Sequence, residues 1–332
     1  MVWNAASTSA VLATPALLWS LWFKFVLKPT WSSPKGDAPL WLRTFISRLF
    51  YNFATSWLHF THNLDEMLES GRIDPSRHTL ISLYPHGQYT VGALAFYSHW
   101  VAKGYPFGNM NAAVADVLLK VPILADYLTL VRTKPATLKM MDGLMRQGNT
   151  ICVYPGGIYE QVRTDANEEK LFFPRNLSFI RLAIKHGADI LPLYSFGENQ
   201  LWKTSETFTN VNMSIYKKIG VGNVLLHSPV LGLPTSMILP SPLLLPAFKQ
   251  PLHCRFGDPV SIDAADPDPS DEKVFAVFER LVEAIGQIFR DHANDCLPLA
   301  VASRGLTITL RSGGGQAEQV WKFQAGQVRS KL

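Results

Sequence analysis

Only three cysteines occur in the 332 residues, Cys152, Cys254 and Cys296, and none of their spacings suits a metal knuckle or a disulfide framework. That excludes a stapled or zinc-built fold and fits a reducing, cytosol-facing compartment. Cys152 lies within an apolar run and reads as a small core residue. Charge is scarce too. Charged residues make up 17% of the chain against 47% hydrophobic ones, too greasy for an ordinary soluble protein and too polar for a multi-span transporter. Runs of Lys and Arg interleaved with aromatics are missing, so a nucleic-acid partner is excluded despite a net charge of +5. A Gly-x-Ser-x-Gly elbow is also absent, which argues against a serine nucleophile.

What is present points to lipid and phosphate. Nine Trp and nineteen Phe suit a lipid interface. The basic balance, with a pI near 9.0, suits an anionic headgroup surface or a phosphate-bearing ligand. From Ala10 to Leu27 the chain is apolar apart from Thr14, Ser20 and Lys24. That is about 18 residues, borderline for a hydrocarbon core of ~30 Å. No basic residues precede it as in a secretory signal. It reads as a membrane anchor or, in the alternative, a buried core helix. Lys24 and Lys28 favour a cytosolic remainder. Trp31–Pro39 is a polar linker, and Trp41–Phe60 is aromatic-rich with helical spacing. This second helix either lies in the membrane interface or covers the core. Residues 1–75 are therefore expected to be an anchor and an amphipathic helix, 76–300 the compact domain and 301–332 a flexible tail.

The compact region alternates. Strands are predicted at Thr79–Leu83, Ala112–Ala115, Thr150–Tyr154 and Ile190–Phe196. Helices are predicted at Tyr89–Trp100, Thr137–Met145, Leu177–Lys185 and Asp271–His292. This order predicts an α/β fold, a mixed and mostly parallel sheet flanked by helices. In such sheets functional groups gather beyond the carboxyl ends of the strands. Three strand ends present His86, Glu160 and Glu198 in turn. His86 also stands at the mouth of a helix, whose first N–H groups are expected to face an oxyanion. Pro229–Pro251, with almost no charge, reads as a lipid-facing wall or a packed loop.

These residues also carry a family resemblance. Tyr84-Pro85-His86-Gly87 resembles the His-Pro-His-Gly motif of the diacylglycerol acyltransferase type 2 family. Tyr154-Pro155-Gly156-Gly157 with Glu160 resembles its Pro-Gly-Gly-x-x-Glu block. Arg175–Asn199 is the most specific match, and Phe256-Gly257-Asp258-Pro259 resembles a late turn. The resemblance runs from about Thr79 to Leu297. It departs at Tyr84, where relatives keep a histidine, and at Asn176-Leu177, where they have Lys-Gly. The position five after His86, where related acyltransferases carry Asp, is Val91.

The resemblance implies a glycerolipid-acyltransferase-like fold and acyl transfer from coenzyme A to a hydroxyl. Diacylglycerol is the first expectation. Monoacylglycerol, a long-chain alcohol, a sterol, or an inactive lipid-binding relative are the alternatives. His86 would be the general base, with Glu160 or Glu198 as its carboxylate partner. Pro85, Gly87, Gly156, Gly157, Arg175 and Asn199 would bind substrate. Acyl-CoA would be a co-substrate, with no tightly bound cofactor and no metal. Partners would be acyl-CoA, an acylglycerol or alcohol acceptor and membrane lipid, with a homo-oligomer left open. The place would be the endoplasmic reticulum membrane, facing the cytosol, with the lipid droplet second.

Overall fold

Every residue of Thr79–Tyr84 is buried. Leu80 and Tyr84 enter one hydrophobic core, while Ile81 and Leu83 enter a second on the opposite face. This period-two split marks a strand covered on both faces, the usual state of a parallel sheet. In the computed structural model that strand is the middle of the fold. The structure describes residues 18–32, 39–103, 109–121, 124–222, 225–227, 234–236 and 250–326.

The described strands are β1 (Thr61–His62), β2 (Thr79–Tyr84), β3 (Met110–Val114), β4 (Thr133–Pro135), β5 (Thr150–Val153), β6 (Glu169–Phe173), β7 (Asp189–Phe196), β8 (Leu225–His227), β9 (Pro234–Ser236), β10 (His253–Phe256), β11 (Leu306–Leu310) and β12 (Gln319–Phe323). Seven form one sheet in the order β1-β10-β7-β2-β5-β3-β4. The run β7-β2-β5-β3-β4 is all parallel. β10 is antiparallel to β7, and β1 pairs with β10. The expected mixed, mostly parallel sheet is therefore present. It starts earlier than residue 76, because Thr61 is in register with His253.

One face is covered by the helices Leu138–Met145, Ser178–His186 and Asp271–Cys296. The last begins at Ser270, whose Oγ accepts the Lys273 N–H at 3.3 Å. Val274, Val277, Phe278, Leu281, Ile285, Ile288 and Phe289 form its buried stripe. The other face is covered by Leu40–Trp57, Leu64–Glu69 and Val91–Lys103. Leu40–Trp57 has two faces. Phe50, Tyr51, Phe53 and Trp57 pack on the second core. Leu40, Trp41, Phe45 and Leu49 are exposed.

Three expectations need correction or restriction. The tail is not a loose appendage over Leu306–Phe323. β11 pairs with β6 in parallel and with β12 in antiparallel fashion, which makes a second sheet. Leu306, Ile308 and Leu310 are buried in the first core. The Cβ-less Gly286 lets the Phe323 ring press against the helix Asp271–Cys296. Second, residues 1–17 of the expected anchor lie outside the described residues. Among those described, 18–32 is helical, with Leu18, Leu21, Trp22 and Phe25 exposed. No described helix is long and apolar enough to cross a membrane. Third, most of the expected lipid-facing stretch Pro229–Pro251 lies outside the described residues.

The second sheet gives a test. Leu310→Ala is expected to destabilise the protein by about 2–5 kcal/mol, seen as a lowered melting temperature. A melting temperature equal to wild type would mean that β11 adds nothing to the core.

Candidate active site

Because β7, β2 and β5 are adjacent and parallel, the chain leaves all three at one edge of the sheet. His86 follows β2, Glu198 follows β7, and Glu160 sits in the short helix Gly157–Gln161 after β5. The structure brings these three sequence-predicted groups to one place. It does not pair them as expected.

Glu160 is buried, and both its oxygens accept backbone N–H groups. Oε1 takes the His86 N–H at 2.6 Å and Oε2 the Phe172 N–H at 2.8 Å. It therefore holds the His86 backbone, not the imidazole. Gly156 has no Cβ because one would collide with this carboxylate. Gly157 has a φ of 51°, the left-handed region that favours glycine. Burial pushes the Glu160 carboxyl up to about 7, against the pull of the two N–H groups.

Glu198 is buried too, and it caps a helix from outside. Its Oε1 accepts the Val91 N–H at 2.9 Å and its Oε2 the Gly92 N–H at 2.6 Å. The N–H groups expected to face an oxyanion are thus already engaged, and Glu198 is not a partner of the His86 ring. Burial pushes its carboxyl up to about 8, while the two N–H groups oppose the rise and the Glu169 charge adds to it. Gly87 and Gly92 both run against Glu198, so neither has room for a side chain.

The His86 ring is half-buried, 5.0 Å from the Tyr154 ring. Its Nδ1 lies 3.1 Å from the Gly87 carbonyl oxygen. A carbonyl only accepts, so Nδ1 carries the proton and Nε2 keeps its lone pair. Burial drives the ring pKa down to about 4. At neutral pH His86 is a neutral imidazole with a fixed tautomer, oriented by a carbonyl where a carboxylate was expected.

The remaining predicted residues divide. Pro85 is buried and follows a cis peptide bond. Asn199, expected to bind substrate, is turned inward instead: its Nδ2 donates to Glu169 at 3.2 Å. Arg175 is partly buried, and its Nη1 is buried without a hydrogen-bond partner among the described residues. Tyr84, where relatives keep a histidine, packs in the core 5.5 Å from the Phe173 ring and shares a hydrogen bond with Ser82.

Glu169 went unnoticed in the sequence. It accepts Tyr194 Oη–H at 2.6 Å, Gln200 Nε2–H at 3.0 Å and Asn199 Nδ2–H. Its signal was the alternation Glu169, Leu171, Phe173, which puts the carboxylate on the buried face of a strand. His253 and Cys254 are neighbours in sequence, but Cys254 is fully buried and its thiol is pushed up to about 12 by that burial. It is no nucleophile. His62, Asp65 and His99 have ligating atoms within 4.8 Å of one another, the composition of a metal site. However, the Leu64 N–H donates to His62 Nδ1 at 3.2 Å. That makes Nε2 the protonated nitrogen of a neutral ring and does not suit a ligand.

Residues 16–297 match the sequence profile described as diacylglycerol acyltransferase. The chain belongs to the diacylglycerol acyltransferase family. Human diacylglycerol O-acyltransferase 2 is 25% identical over 292 residues, covering 83% of this chain and 70% of the relative. Human 2-acylglycerol O-acyltransferase 3 is 23% identical over 237 residues, covering 70% and 69%. Mouse diacylglycerol O-acyltransferase 2-like protein 6 is 24% identical over 317 residues, covering 88% and 89%. As a diacylglycerol acyltransferase family member the chain is an acyltransferase, and β11 and β12 lie beyond the matched span.

The Glu198 geometry gives a pH test. Its ordinary value is 4.5 and its folded value about 8, so between these the folded state holds the extra proton. The contribution to stability is full below 4.5 and is lost as pH rises through about 8. Glu198→Gln, which cannot ionise and turns one acceptor into a donor, is expected to melt lower and to lose stability less steeply across that window. Thermal unfolding at a series of pH values reads both. An unchanged slope would contradict the assignment.

Proposed function

We propose that this acyltransferase moves an acyl group from acyl-CoA to the free hydroxyl of diacylglycerol, with His86 as general base. The observation that carries the mechanism is the His86 ring, neutral and held by the Gly87 carbonyl with Nε2 bare. Nε2 takes the acceptor's hydroxyl proton as its oxygen attacks the thioester carbonyl. The tetrahedral intermediate expels the coenzyme A thiolate, which recovers the proton from His86. The Gly87 N–H, beside the ring, is the donor for the developing oxyanion, since those of Val91 and Gly92 hold Glu198. Coenzyme A is a good leaving group, so transfer is direct and needs no acyl-enzyme.

Diacylglycerol leads as acceptor, and monoacylglycerol is second because a 2-acylglycerol acyltransferase is also similar. Exposed Trp22, Phe25, Trp41 and Phe45 support a seat in the interface of the endoplasmic reticulum membrane, facing the cytosol. The lipid droplet surface is the second location.

The chain is expected to restore ester synthesis in a host lacking neutral-lipid enzymes, with triacylglycerol as the main product by mass spectrometry. No ester from supplied diacylglycerol or fatty alcohol would contradict the function. His86→Ala is expected to lower the rate by about 100-fold or more. The base is lost only on protonation, near pH 4. The wild-type rate is therefore expected to be free of a histidine step between pH 5 and 8; a step near 6.5 that follows protonation of the His86 ring itself would contradict the neutral ring.

A further inference from the structure

Tyr159 stands one residue before Glu160 and carries a guanidinium on each face. Arg163 Cζ lies 3.5 Å from the ring centroid and Arg311 Cζ lies 3.7 Å from it. Two carbons that close to one centroid occupy opposite faces, because on one face they would overlap. Phe172 closes an edge of the ring at 5.5 Å. Arg163 Nη1 donates to the Tyr159 carbonyl at 2.9 Å. The Arg311 N–H donates to the Phe173 carbonyl at 3.0 Å, fixing the residue at the exit of β6. Arg175 leaves β6 at the same end, lies against Gly313 of the β11–β12 hairpin, and has the unpartnered Nη1.

Two guanidinium groups therefore sandwich Tyr159, and the Arg175 side chain leaves β6 at the same end beside the hairpin that follows Arg311; among the described residues no carboxylate pairs with any of the three. Glu168 is engaged by Lys170 and Arg304, and Glu160 by backbone. Stacking covers the flat face of a guanidinium and leaves N–H donors around its edge, aimed in the plane and matched to phosphate oxygens. A staple for the second sheet would need one such stack. The second brings like charges together, an arrangement that an anion stabilises.

We propose that Arg163, Arg175 and Arg311 form a phosphate clamp around Tyr159, and that it holds the 3′-phosphate end of acyl-CoA. The inference rests on acyl-CoA as donor. Tyr159 directly precedes Glu160, which holds the His86 backbone, so the clamp shares the loop cluster of His86, and acyl-CoA with its thioester at His86 is the phosphate-bearing ligand proposed for it. Arg311 lies outside the span shared with the family. The second sheet thus contributes a substrate contact as well as core.

Binding is measured by calorimetry on the full chain in detergent, with coenzyme A and dephospho-coenzyme A, which lacks the 3′-phosphate. Wild type is expected to prefer coenzyme A by about ten-fold or more. Arg311→Met and Arg163→Met keep an unbranched stem on the ring and are expected to bind both probes alike. If Arg311→Met does not fold, Arg311→Lys carries the test. It keeps the charge but not the fork, and is expected to lose most of the preference at an unchanged melting temperature. An undiminished preference in Arg311→Lys or in both methionine variants overturns the clamp. So does weaker binding of Arg311→Met to phosphatidate vesicles with its coenzyme A preference intact, since the anion would then be a lipid headgroup. A wild type that prefers coenzyme A but makes no ester would overturn the proposed function and leave the clamp standing.

Discussion

One buried carboxylate ties the seven-stranded and three-stranded sheets to the loop that carries His86. Glu160 reaches the His86 N–H with one oxygen and the Phe172 N–H with the other. The first bond fixes the exit of the central strand β2; the second fixes β6 of the smaller sheet. Charge on a group so deeply buried is tolerated only because both oxygens are satisfied. Losing the carboxylate would orphan two backbone donors and release the loop that carries His86. Gly156 is small because this side chain fills its space.

The same logic recurs at Glu198, which caps the helix Val91–Lys103 from the end of a neighbouring strand. A third carboxylate, Glu169, ties Tyr194, Asn199 and Gln200 together beneath the site. Burial raises the proton affinity of all three, and the Glu169 charge adds to the rise at Glu160 and Glu198. His86 needs none of them at its ring. A backbone carbonyl orients the imidazole, and burial keeps it neutral. Tyr84 is explained by the same packing: its side chain points into the core on the face opposite Ile81 and Leu83, so its phenol fills volume and bonds to Ser82.

Much of this was legible before the structure. Thr79–Tyr84, Thr150–Val153 and Asp189–Phe196 stand out as apolar runs because they are buried on both faces, and their order put three polar residues at one sheet edge. The pairing was not legible. Whether a glutamate meets a ring or a backbone N–H depends on loop geometry, and the Gly87 carbonyl has no signature in a sequence. The start of the helix at Val91 rather than Tyr89 is set by a cap 107 residues away. The second sheet was hidden because β6 and β11 are short and pair across a long stretch of chain, while Gly313-Gly314-Gly315 reads as a loose end. The alternation Leu306, Ile308, Leu310 was its available signal.

The central claim is that His86 is neutral at physiological pH, protonated on Nδ1 and bare on Nε2. Nitrogen NMR of the protein with 15N-labelled histidine reads both properties, with the His86 signals assigned by their loss in His86→Gln. The expected result is an Nδ1-protonated ring whose shifts do not move between pH 5 and 8. A ring that titrates near 6.5, or one protonated on Nε2, would contradict it.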